Sequence, residues 1–262
     1  MMSAFSSVDV WRILRAVMLL YLLVCAGLLV FQRSLLYYPR RTDVREIPLA
    51  AKPAYAGRAL VVDPPGPIRA TAILFHGNAG AAVDRMFYSE ELARRGVQLV
   101  LAEYPGYGWR RGSISESSLV LDGKALYEEV RSSVPKDRPV IVIGESLGTG
   151  VATQVAATAE VQPQKLVLIT PYSSMADVAQ EKFWYLPARY LLCDSFDSAK
   201  HVAAFKGAIS LLIAADDEVI GAASGRQLAK VAARPQLTVF DLAGAGHNTW
   251  ERFVPPAFWD AF

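Results

Sequence analysis

Residues 140–150, reading Val-Ile-Val-Ile-Gly-Glu-Ser-Leu-Gly-Thr-Gly, restrict the fold more than any other stretch of the chain. Val140, Ile141, Val142 and Ile143 are β-branched, follow Pro139, and read as a short strand buried on both faces. Gly144, Glu145, Ser146, Leu147 and Gly148 then fit Gly-x-Ser-x-Gly, and the small residues of 149–159 read as a helix. Strand, sharp turn and helix are the setting of a nucleophile elbow. Such a turn strains the serine backbone, and glycine at 144 and 148 leaves room for neighbouring chains. The Ser146 hydroxyl then stands above the strand tip, beside the positive end of a helix. The plainer alternative is a glycine-rich turn with a surface serine, and the strand-turn-helix context speaks against it. A dinucleotide fingerprint fails because Thr153 stands where a small residue is needed. A phosphate-binding loop fails because Val151 and Ala152, not Lys and Ser/Thr, follow Gly150.

A chain of 262 residues suits one medium-sized domain with a short appendage. Net charge is +2 with 20% charged residues and no basic stripe, which speaks against nucleic acid as a partner. Cys25 and Cys193 are too few for a disulfide framework and read as packing residues. With no HExxH, CxxC or histidine cluster, neither a metal nor a cofactor is expected. No feature sets an oligomeric state.

Residues 16–31 are apolar without a charge, and counting Ile13 and Leu14 across Arg15 brings the run close to a bilayer core. Arg12 and Arg15 precede it, Gln32 and Arg33 close it, and Trp11, Tyr37 and Tyr38 sit where interfacial aromatics would. A buried core helix would be apolar all round at the N-terminus. A cleaved signal would need a small-x-small site, and Val24 before Cys25 spoils a lipoprotein box. The reading that fits is a single-pass membrane anchor over 1–33, followed by one domain over 34–262. Arg33, Arg40, Arg41 and Arg45 against Arg12 and Arg15 lean towards a cytoplasmic body, the alternative being that the later arginines serve the fold and leave the orientation open.

After residue 44 strands alternate with helices. Residues 46–50 and 58–63 suggest an edge hairpin interrupted by Pro53 and Gly57. Further strands are expected at 70–75, 97–102, 140–143, 165–169, 210–214 and 237–240. Helices are expected at 81–95, at 113–132 (with Ser113 and Glu116 as a capping box) and at 222–232. This order implies a mostly parallel sheet covered by helices on both faces, with ligands at the carboxyl ends of the strands.

A serine hydroxyl needs a base to take its proton. His76 precedes Gly77 and Asn78 in what reads as a backbone-donor loop, and His201 beside Lys200 reads as a surface residue. His247 lies in Gly-Ala-Gly-His-Asn past the last strand and obeys the order serine, acid, histidine. The acid is expected after strand 210–214: Asp217, with Asp216 in reserve. Oxyanion donors are expected from the amide of Leu147 and from the loop after Phe75, as Asn78 with Ala79 in reserve.

The motifs Phe-His-Gly-Asn-Ala-Gly (75–80), Glu-Tyr-Pro-Gly-Tyr-Gly (103–108), Gly-Glu-Ser-Leu-Gly (144–148), Asp-Glu-Val (217–219) and Gly-His-Asn (246–248) together resemble the α/β-hydrolase superfamily. Within it the chain is similar to the small membrane-anchored ABHD-type serine hydrolases, a group of depalmitoylases and lysophospholipases. The resemblance implies the α/β-hydrolase fold with a small cap insertion at about 172–207. It also implies a serine hydrolase cleaving carboxylic esters or thioesters by a Ser-Asp-His triad through an acyl-enzyme. Ala215 and Gly221 stand where relatives commonly have Gly and Pro, and Trp109 replaces a usual small residue. Phe183, Trp184 and Tyr185 in the insertion are expected to line an acyl site, or else to pack a cap helix on the core. The expected partners are a small acyl ester or acylated substrate and the membrane. A peptidase of the same fold and a non-catalytic membrane scaffold are the alternatives.

Overall fold

The structure is a computed structural model and describes residues 7–260 and 262. Helix α1 (Ser7–Leu36) leads into strand β1 (Tyr38–Pro39), and β2 (Lys52–Ala54) and β3 (Ala59–Val62) follow. Next come β4 (Ala70–Phe75), β5 (Ala79–Gly80), α2 (Tyr88–Ala93), β6 (Val97–Ala102) and α3 (Glu116–Ser133). The centre of the chain is β7 (Val140–Glu145), α4 (Leu147–Thr158) and β8 (Lys165–Ile169). Three short helices, α5 (Met175–Lys182), α6 (Ala188–Leu191) and α7 (Ser198–Ala204), separate β8 from β9 (Ala208–Ala214). The chain closes with α8 (Ala222–Val231), β10 (Leu237–Leu242) and α9 (Pro256–Trp259).

Eight strands form one sheet in the order β10-β9-β8-β7-β4-β6-β3-β2. The six from β10 to β6 are parallel, and β3 and β2 add antiparallel at one edge. The central strands read as unbroken apolar runs because successive side chains enter two different cores. Ile73, Phe75, Val142 and Leu168 pack with Leu126, Val151 and Leu228 on the face of α3, α4 and α8. Leu74, Ile143, Val167 and Ile169 pack with Tyr88, Leu92, Trp250 and Phe258 on the face of α2 and α9. Two-sided burial is the reason these strands carry almost no polar residue.

Several local expectations are corrected. The hairpin forms between Lys52–Ala54 and Ala59–Val62, whereas 44–46 is a 3-10 turn capped by Asp43. Pro53 sits inside the edge strand β2, where no neighbour requires its missing N–H. The helix expected over 81–95 is a 3-10 turn at Ala82–Arg85 followed by α2. Ser115, not Ser113, caps α3, accepting from the Ser118 N–H, and the expected box with Glu116 does not form.

Among the described residues, Asp9–Leu36 is the one helix long and apolar enough to cross a membrane. Leu23, Val30 and Phe31 are each more than 60% exposed, as no globular core helix would leave them. Cys25 is buried, but Cys193 is exposed and donates its backbone N–H to Gln32 (2.6 Å) instead of packing in the core.

Candidate active site

The turn between β7 and α4 holds Ser146 at φ 52° and ψ −120°, a conformation strained for any residue with a side chain. The two flanking glycines make it possible. A Cβ on Gly148 would stand 2.0 Å from the Phe75 carbonyl oxygen, and one on Gly144 would stand 2.6 Å from that of Gly148. The elbow is therefore wedged against the end of β4. The Ser146 N–H donates to Ile169 O (2.9 Å) on β8, which ties the turn to the sheet on its other side.

Ser146 Oγ donates to His247 Nε2 at 2.9 Å, and His247 Nδ1–H donates to Asp217 Oδ2 at 2.8 Å. The carboxylate partner on Nδ1 sets the tautomer, leaving Nε2 free to accept. The other oxygen of Asp217 accepts the N–H groups of Val219 (2.9 Å) and Ile220 (2.8 Å). Burial alone would raise the Asp217 pKa. The His247 hydrogen bond and charge, with the two amides, outweigh it and hold the carboxyl below its ordinary range. Asp216, the reserve acid, is exposed, and its N–H donates to Ala245 O. His201 lies on α7 with its ring against Asp197 O, away from Ser146. His76 is fully buried, its ring nitrogens reaching Gly77 O (2.8 Å) and Glu103 Oε1 (3.1 Å).

Leu147 opens α4, so its amide is among the first-turn N–H groups with no partner inside the helix. Asn78 and Ala79 belong to the loop after β4 and border the same cleft as Ser146 and His247. The Asn78 side-chain oxygen accepts the Tyr38 N–H (3.2 Å) and the Tyr107 hydroxyl (3.4 Å). The loop is held further by β1, which pairs in parallel with β5. The strand leaving α1 thus braces the loop beside the candidate nucleophile.

The cleft holds about 570 Å³, within the range of small-ligand sites. Its walls include Tyr38, Arg85, Phe87, Glu145, Trp250 and Glu251, which the sequence reading missed. Glu145 is the first variable position of Gly-x-Ser-x-Gly and is buried beside the elbow. It accepts from Arg85 Nε (2.9 and 3.1 Å) and from the Tyr88 hydroxyl (2.8 Å). Burial would lower the Arg85 pKa, but the charge and hydrogen bond of Glu145 win and raise it, so the guanidinium stays charged. Only the fold carries Arg85 to this place, and no local pattern announces it. Phe183, Trp184 and Tyr185 require a correction. They do not border the Ser146 cleft but lie exposed on the surface of the insertion, where the Tyr185 carbonyl accepts from the Tyr21 hydroxyl of α1. Among the described residues no group of three or more His, Cys, Asp or Glu is placed to hold a metal.

A family model described as serine aminopeptidase, S33, matches residues 66–191. The protein Rv2307c of Mycobacterium tuberculosis is 30% identical over 245 residues, spanning 86% of this chain and 85% of that one. The chain belongs to the α/β-hydrolase superfamily. The family-model match and the relatives in sequence make it a serine hydrolase. Another relative in sequence is the lysophosphatidylserine lipase ABHD12 of Danio rerio, 29% identical over 181 residues. That match spans 62% of this α/β-hydrolase and 47% of the relative. In fold it is similar to the Pyrococcus furiosus esterase PF2001, with a TM-score of 0.64 and 16% identity over 86% of this chain and 94% of the esterase.

Proposed function

We propose that the chain hydrolyses carboxylic esters or thioesters of acyl groups through a covalent acyl-enzyme, with Ser146, His247 and Asp217 as its triad. The observation that carries this reading is the continuous hydrogen-bonded line from Ser146 Oγ through His247 to Asp217, opening on one cleft. Ser146 Oγ attacks the carbonyl carbon while His247 Nε2 takes its proton. The amides of Leu147 and Asn78 receive the oxyanion, and Asp217 stabilises the imidazolium without accepting its proton. The carbon–oxygen or carbon–sulfur bond then breaks, and the leaving group takes the proton from His247. Water, deprotonated by His247, attacks the acyl-enzyme, releasing the acid and restoring Ser146.

An acyl substrate is supported by the description of the ABHD12 relative as a lipase, and by α1, which we read as a single-pass anchor keeping the body beside the bilayer. An amide substrate is the second reading, favoured by the aminopeptidase description of the family model. A panel of p-nitrophenyl esters of increasing length, acyl thioesters and peptide amides separates the two, with turnover expected on the first two classes only. Ser146→Ala should lose fluorophosphonate labelling and ester turnover, by up to about 10⁶-fold, with folding retained. A folded Ser146→Ala protein with undiminished turnover would remove Ser146 from the mechanism.

A further inference from the structure

The insertion after β8 ends in a tip that water does not suit. Phe183, Trp184, Tyr185 and Tyr190 are 46%, 78%, 57% and 85% exposed. Aromatic side chains of this size normally bury most of their area, and an exposed cluster of them marks a surface made for contact. Its neighbour is α1. The Tyr21 hydroxyl lies 3.5 Å from Tyr185 O, and Gln32 Nε2 donates to Leu191 O at 3.1 Å. Arg33 Nε and the Tyr37 hydroxyl both donate to Asp194 Oδ2, at 2.9 and 3.0 Å. Cys25, Leu28, Gln32 and Leu36, spaced as one helix face, are buried or half-buried where most of 10–35 is exposed. The insertion therefore lies along α1 from Tyr37 back to Tyr21.

That placement sets a depth. Twelve residues separate Arg33 from Tyr21, which at 1.5 Å each is about 18 Å along the helix. An ordinary tilt of 20° shortens this only to about 17 Å. One headgroup layer is only about 5–7 Å thick, and the leaflet of hydrocarbon beneath it about 15 Å. With Arg33 at the headgroups, the segment beside Tyr21 cannot stay above the interface. We propose that the aromatic tip of the insertion, Phe183, Trp184, Tyr185 and Tyr190, is embedded in the acyl chains of the leaflet next to the catalytic body, with Arg189 beside it neutralised by its ion pair with Asp177. This inference rests on the reading of α1 as a membrane anchor.

The hydrogen bonding of the tip supports the same occupant. In lipid, non-helical backbone groups must find partners within the protein. The carbonyls of Tyr185, Leu186 and Leu191 accept from the side chains of Tyr21, Gln180 and Gln32 respectively. The Arg189 and Cys193 N–H groups donate to Gln180 and Gln32. Two glutamines thus satisfy groups that water would serve on an ordinary surface loop. Tyr38, two residues past the end of α1, borders the Ser146 cleft, so a tip in the leaflet brings the cleft to the headgroup level.

The test uses the full chain in phosphatidylcholine vesicles whose acyl chains carry bromine at mid-depth. The difference in tryptophan emission between wild type and Trp184→Phe isolates Trp184, because the other tryptophans cancel. It should be quenched by the bromines and hardly touched by acrylamide in the water. Emission open to acrylamide and blind to bromine, in protein that survives carbonate washing, overturns the tip assignment and leaves the anchor standing. Release of the full chain by carbonate overturns both. The result is equally adverse if Trp184 is shielded from both quenchers and cross-links to a second copy. A second measurement pairs Trp184→Asp with Tyr190→Asp. Turnover of a short soluble ester should hold, while turnover of a bilayer-embedded ester should fall roughly tenfold as local concentration is lost. Unchanged turnover of the bilayer ester counts against the proposal.

Discussion

At the scale of single residues, the elbow shows how a short motif translates into geometry. Gly148 is required because the end of β4 leaves no space for a Cβ beside the Phe75 carbonyl. Gly148→Ala should therefore displace the turn, destabilise the fold by about 1–3 kcal/mol in denaturant unfolding, and cut fluorophosphonate labelling. Wild-type labelling in that variant would show that the turn relaxes without moving Ser146. Asp217 gives a second residue-level expectation, with a defined sign. Its folded pKa lies below the ordinary value, so the ionised form stabilises the fold. That stability is fully present above the unfolded value of about 3.9 and is lost as pH falls through the lower folded value. Thermal melts of wild type and Asp217→Asn should differ by a constant amount from pH 7 down to about 4, and the gap should narrow below that. A gap that stays constant to pH 3 would mean that Asp217 is not held ionised by the His247 contact.

At the scale of elements, the junction of α1 and β1 links the apolar helix to the candidate oxyanion loop. Gln32, Arg33 and Tyr37 hold the insertion, while Tyr38 and Pro39 pair with Ala79 and Gly80. Removing the chain before Phe31 spares all of these contacts. That truncation should unfold cooperatively and hydrolyse short soluble esters at close to the full-length rate. Extending the deletion through Pro39 removes β1 and the N–H that orients Asn78, and turnover of the same esters should fall about 10²-fold or more. Equal activity in the two truncations would mean that β1 does not position the loop. Glu145 and Arg85 are a further element-level device, since their ion pair ties the elbow wall to the turn before α2. Arg85→Ala removes the cation beside Glu145, leaving it the Tyr88 hydroxyl, and should cost about 3 kcal/mol in unfolding free energy.

At the scale of the whole molecule, six parallel strands bring residues far apart in sequence to one end of the sheet. Ser146 and His247 are separated by 101 positions yet share a hydrogen bond, because the loops after β7 and β10 open on the same edge. The apolar helix and the aromatic tip give the molecule a second organising direction, along α1. The proposed acyl hydrolysis and the proposed anchoring by α1 meet in that direction, and the bromolipid and truncation experiments address the two proposals from opposite ends.

The elbow was readable from residues 140–150 alone, because a β-branched run, two close-approach glycines and a small-residue helix are local requirements. The parallel sheet was readable too, since unbroken apolar strands of this length have to be covered on both faces. His247 and Asp217 followed from chain order and a short histidine list, without any distance. The hairpin register, the break in the helix expected over 81–95 and the capping residue of α3 came only with the structure, because tertiary contacts override weak local preference at such places. The surroundings of Ser146 were also a tertiary matter. Arg85, Tyr38 and Trp250 meet there from separate segments, and no spacing in the chain records that meeting. Phe183, Trp184 and Tyr185 make the same point in reverse. Their apolar character was plain in the chain, but the fold leaves them exposed and outside the Ser146 cleft. Composition reports how much a side chain gains by leaving water, and only the fold determines what it leaves water for.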